Sequence, residues 1–190
     1  MRDFDPVRLG GYEAQAWVAY YRRHWFTFLR AAIGMVRVGF GMPWFATLRG
    51  AWLVLRANQA WAPYPDNDPD RVRALMRQFY VDVKRHSHES FDVDKAATLE
   101  VDWWRAHRNL QREEGALSLL IDALADLYAY VYHAPKAMVQ PAAAHRAEAM
   151  VISDAWVAAG CDPASPAITA ERRELVAGYT LLRKAISVSS

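Results

Sequence analysis

Glu100 and His107 stand seven residues apart in the stretch Thr98-Leu-Glu-Val-Asp-Trp-Trp-Arg-Ala-His-Arg108. On an α-helix that spacing puts them about 20° apart on one stripe, two turns from each other. Trp103 flanks the stripe on one side and Trp104 on the other. A carboxylate and an imidazole aligned between two indoles make either a buried ion pair or part of a site.

Other helical stretches carry the same combination. His145 shares a stripe with Met138, Ile152 and Trp156, and Glu148 lies about 60° to its side. Glu13 and His24 fall near Trp17, Tyr20, Tyr21 and Phe28 on a common face. His86 follows Val72, Leu75, Met76, Phe79 and Val83 on theirs, whereas His88 points away from it. Burying ionisable groups costs several kcal/mol each unless they are paired or bind a cation. Helical bundles build metal sites by projecting carboxylates and imidazoles inward, and such donors suit iron, manganese or zinc. The expectation is a mono- or dinuclear centre with oxidoreductase-type chemistry, held by His86, Glu100, His107, His145 and Glu148, with Glu13 and His24 as further ligands. The same side chains also fit a set of buried His–Glu or His–Tyr hydrogen bonds holding the helices in register, or a polar pocket for a metal-free ligand. Covalent haem is excluded because no Cys-x-x-Cys-His occurs, and non-covalent haem on His24, His86 or His145 is disfavoured because an imidazole on an apolar face is a weak signal for it.

The best-known di-metal bundles use a Glu-x-x-His turn twice. Here the order is reversed, as His86-x-x-Glu89 and His145-x-x-Glu148. The Glu100-x6-His107 pair resembles one helix of the haem-oxygenase-like di-iron proteins, whose later His-x3-Asp-x2-His this chain lacks.

Helices must position these residues. Residues 1–11 read as an N-terminal tail ending in Gly10-Gly11, and a long helix follows from Tyr12 to about Val38. It is apolar nearly all round, apart from Arg23, Arg30 and Arg37 at intervals of seven. Gly39-Phe-Gly-Met-Pro43 breaks it. A second helix runs to Trp61, and 62–68 is a loop whose Asp68-Pro69 makes a strong start for a third, ending near Ser87. Further helices are expected over about 93–112, from Leu117 to His133-Ala-Pro135, and from Pro135 to Gly160. After a loop at 161–168, a last helix follows Thr169, with Glu171 in its first turn. No strand alternation of useful length is present. The fold class is all-α, a bundle of about seven helices in a single domain.

Composition narrows the setting. The chain has 190 residues, 53% hydrophobic and 23% charged, which is a folding sequence. Eight Trp, nine Tyr and seven Phe are many rings to bury, so a homo-oligomer or an apolar ligand is expected to cover some of them. Cys161 is the only cysteine, the N-terminus is polar, and the longest uncharged run, residues 38–48, falls short of a membrane span. A cytoplasmic protein with no transmembrane segment is expected. The net charge of +2 divides into +5 over residues 1–60, zero over 61–112 and −3 beyond, too modest for nucleic acid. That arginine excess supports an alternative function: a non-enzymatic helical module that binds a protein partner or an apolar ligand through its aromatic, Arg-rich N-terminal helices.

Overall fold

The structure, a computed structural model, describes residues 1–87 and 89–188, the last by its backbone alone. His88 lies outside the described residues. These form eight α-helices and no strand: α1 Pro6–Tyr21, α2 Trp25–Phe40, α3 Trp44–Trp61, α4 Pro69–Ser87, α5 Val93–Gln111, α6 Leu117–Tyr132, α7 Lys136–Ala158 and α8 Pro166–Val188. Each helix packs chiefly on its neighbours in sequence, and α8 returns to pack on α1, so the chain closes a ring of helices. The inside of such a ring is wide, and large side chains fill much of it: Trp61, Phe79, Tyr80, Trp103, Trp104 and Tyr128 are all buried. Among the described residues, no helix is long and apolar enough to cross a membrane.

The eighth helix arises because the long first one divides. At its break, Arg23 takes a left-handed conformation with φ 58°. Arg23 N–H donates to the Tyr20 carbonyl at 3.0 Å and His24 N–H to that of Ala19 at 2.8 Å, a Schellman closure made without glycine. A helix apolar all round cannot bury every face against one neighbour, but two half-length helices folded on each other can. Accordingly α2 packs on α1, and a Cβ at Gly34 would lie 2.5 Å from the Tyr12 ring.

The expected tail is also structured. Asp5 caps α1 by accepting from Val7 and Arg8 N–H, and Pro6 starts the helix. Gly10, expected at the end of the tail, lies within it, where a Cβ would come 2.9 Å from the Val176 backbone of α8. Phe4 is buried, and Arg2 reaches Glu89 at 2.9 Å and the Tyr132 carbonyl at 2.7 Å. At the other end α8 starts three residues before Thr169, because Ser165-Pro166 forms the cap. This shortens the expected 161–168 loop and turns Glu171 inward.

Candidate ligand chamber

The large side chains leave a chamber of about 540 Å³ between α1, α2, α3, α5 and α7, a volume suited to a drug-sized organic molecule. Three helices contribute stripes at helical spacing. α1 gives Glu13, Ala16, Trp17, Tyr20 and Tyr21; α5 gives Glu100, Trp103, Trp104, His107, Arg108 and Gln111; α7 gives Arg146, Met150, Asp154 and Val157. Phe28, Met35, Val54 and Trp61 complete the apolar wall.

Deepest lies a buried ion pair. Arg146 Nη2 donates to Glu13 Oε1 at 2.6 Å, and its Nη1 to the Tyr128 hydroxyl at 3.3 Å. The Tyr179 hydroxyl donates to the other Glu13 oxygen. Burial, reinforced by the Glu13 charge, raises the Tyr179 pKa well above the ordinary phenol range, so it serves as a neutral donor. The guanidinium also lies 4.8 Å from the centre of the Trp103 ring. Glu13 is fully buried, and its satisfied lone pairs explain why its charge is tolerated.

A second network surrounds Asp154. One carboxylate oxygen bonds His107 Nε2 at 2.9 Å, and the other accepts from Gln111 at 2.6 Å and the Tyr21 hydroxyl at 3.1 Å. Burial first, then the Asp154 charge, pushes the Tyr21 pKa well up. Glu100 stands apart from both groups, accepting from the Tyr80 hydroxyl at 2.7 Å and the Trp104 indole at 3.1 Å. It also lines a smaller, largely apolar cavity of about 150 Å³, which shares Met35, Val54, Trp104 and Arg146 with the chamber.

The rim is cationic and aromatic. Arg108 stacks between the Trp61 ring at 5.2 Å and the Tyr64 ring at 5.4 Å, and Arg112 lies 4.4 Å from the centre of Tyr64. Arg23 lies over Tyr20 and Trp25. Burial raises the Tyr20 pKa, and the charges of Arg108 and Arg23 pull it part of the way back, so both guanidiniums bear on this one ring. Arg112 pairs with Glu114 at 3.1 Å, but Arg23 and Arg108 have no carboxylate partner among the described residues.

One further titratable group sits behind the chamber. Glu171 is fully buried, and neither carboxyl oxygen has a hydrogen-bond partner among the described residues. Burial, with the charges of Glu13 and Asp154, raises its pKa to about 8, although nearby Ser153 opposes the shift. The carboxyl is therefore mainly protonated at neutral pH.

The seven expected metal ligands do not meet. Glu13, Glu100 and His107 line the chamber, but each engages different partners, and Glu100 and His107 are not bonded to each other. His24 is exposed at the start of α2 and makes no pair with Glu13. His86 is half-buried in the last turn of α4. His145 bonds Glu174 of α8 at 2.8 Å, and Glu148 is exposed. Among the described residues, no group of three or more His, Cys, Asp or Glu side chains is placed to hold a metal ion.

Arg146, Asp154 and Gln111 are not evident from the sequence, and Tyr21 is evident there only as part of an apolar face. Arg146, Met150, Asp154 and Val157 form a stripe at i, i+4, i+8 and i+11 on α7, but Arg and Asp ordinarily face solvent. Comparison of the chain with protein-family models, with curated proteins and with solved structures gives no match.

Proposed function

We propose that this protein binds a small organic anion with a flat apolar body, held in the chamber between α1, α2, α3, α5 and α7. The observation that carries this reading is the pair Arg108 and Arg23 at the mouth, cations stacked on aromatic rings with no carboxylate partner among the described residues. An aromatic-walled chamber of about 540 Å³ lies beneath them. Arginine fits this role because its planar fork recognises carboxylate or phosphate while its face rests on a ring.

The inner charges do not compete for the anion. Arg146 neutralises Glu13, and three donors surround Asp154. Glu100 lines the inner end with both oxygens already accepting, from Tyr80 and from Trp104. This reading develops the apolar-ligand alternative. It takes precedence over an iron, manganese or zinc centre because the candidate donors pair separately with other side chains.

Arg23 adds a second support. A non-glycine residue in the left-handed region costs about 1–2 kcal/mol, and glycine would close the same turn without that cost. Strain held at the mouth of a pocket suits a residue kept there for its guanidinium.

Calorimetric titration with pyrenebutyrate, a flat apolar body bearing one carboxylate, tests the proposal. The wild type should bind one equivalent, and Arg108→Met should weaken binding about tenfold or more through loss of a charge-assisted contact. An unchanged affinity in Arg108→Met, or no saturable binding to the wild type, would overturn it.

A further inference from the structure

The opposite face of α2 and α3 carries a second feature, independent of the chamber. On α2, Phe26, Arg30, Ile33 and Arg37 share one stripe, about 180° from the chamber-lining Phe28 and Met35. On α3, Trp44, Phe45, Leu48 and Trp52 cover about a third of the circumference, with Arg49 and Arg56 along one edge. Phe26 is 84% exposed and Phe45 93%, and Trp44, Leu48 and Trp52 are each at least half exposed. The two stripes meet where the Arg37 guanidinium lies 5.1 Å from the centre of the Trp44 ring, and Arg56 lies 6.0 Å from that of Trp52. Such a run of large apolar groups on an outer surface marks a place where something docks.

Charge identifies the occupant. From Ala14 to Pro65 the chain has six arginines and no Asp or Glu. On this face, among the described residues, only Arg49 has an acidic partner, Asp82 of α4. A two-fold interface between copies of this chain would set the patch against itself and bring unpaired arginines together. An anionic lipid surface instead supplies phosphates for the guanidiniums and an interfacial layer for the indoles and phenyl rings.

We propose that the outer face of α2 and α3 docks this protein onto anionic membrane surfaces, with Phe26, Trp44, Phe45, Leu48 and Trp52 entering the headgroup boundary and Arg30, Arg37 and Arg56 meeting lipid phosphate. The binding is peripheral, as no described helix is built to span.

Flotation of the full-length protein with phosphatidylglycerol-containing vesicles, compared with pure phosphatidylcholine vesicles, tests this. Binding should require the anionic lipid, fall with added salt, and weaken about fivefold for each of Arg30→Ala and Arg37→Ala. The double variant Phe26→Ser/Phe45→Ser should lose at least tenfold while keeping its helical circular dichroism, since both rings are outside the core. Equal binding to both vesicles, no binding to either, or unchanged binding by the aromatic variant would overturn the proposal. So would a wild-type dimer that the aromatic variant converts to monomer without any vesicle binding, because a second copy would then be the occupant.

Discussion

Replacing Glu171 by glutamine should abolish a specific dependence of stability on pH. The carboxyl has a pKa of about 8 in the native protein against an ordinary 4.5, because it is buried beside the charges of Glu13 and Asp154. Between those two values the native state holds a proton that the unfolded chain has released. Unfolding therefore releases a proton, and each unit rise in pH through this window removes about 1.4 kcal/mol of stability. From pH 4.5 to pH 7 the loss amounts to about 3 kcal/mol, or roughly 6–12 °C in Tm for a chain of this size. Glutamine copies the shape of the protonated carboxyl and does not titrate. Urea unfolding of both proteins at half-unit steps of pH should show nearly parallel stabilities below pH 4.5. Above it, the wild type should fall progressively behind, and the gap should stop growing above about pH 8. Comparison with the variant removes the contributions of the other titrating groups. A gap independent of pH between 5 and 7.5 would mean that Glu171 is ionised in the folded protein, and the account of its surroundings would fail.

Further outcomes follow from the same geometry. Glu13→Gln should destabilise by about 3–5 kcal/mol in denaturant titrations, since it strands the Arg146 guanidinium among apolar rings. The double variant Glu13→Leu/Arg146→Met should recover much of that loss, because it removes both buried charges together. Arg23→Gly should leave Tm unchanged or higher, as about 1–2 kcal/mol of left-handed strain offsets the lost ring stacking. The same variant should weaken pyrenebutyrate binding, which separates a ligand role for Arg23 from a folding role.

Much of the helical layout was readable from caps and breakers. Asp68-Pro69 and Gly160 mark real boundaries, and α4, α5 and α6 begin and end within a residue or so of their expected limits. The α5 stripe of Glu100 and His107 lines the chamber. The split at Arg23 was not readable, because the turn is closed by backbone hydrogen bonds around a residue type that seldom takes a left-handed conformation. Gly10 misled in the opposite sense: it is an interior glycine kept for close approach to α8, and sequence alone cannot distinguish that from a helix stop.

The site was legible one helix at a time. Periodicity assigns a face to each side chain but carries no information about which helices share an interior. His107 and Asp154 lie 47 residues apart, and Glu13 and Arg146 lie 133 apart. Their meeting follows from closure of the ring by α8 on α1. Glu171 was hidden because an acid in a first helical turn ordinarily complements the dipole from the surface. Here α8 starts at Pro166, which carries Glu171 to a later turn and into the core.

The most direct test of the ligand reading is a paired calorimetric titration of the wild-type protein with pyrenebutyrate and with pyrenebutanol, which share a body of nearly the same size and differ in charge. Arg108 and Arg23, which have no carboxylate partner among the described residues, predict that the carboxylate binds about tenfold or more tightly, with an advantage that shrinks as salt is added. Equal affinity for the alcohol and the acid would contradict the account, leaving the chamber an apolar void whose arginines serve only to pack against aromatic rings.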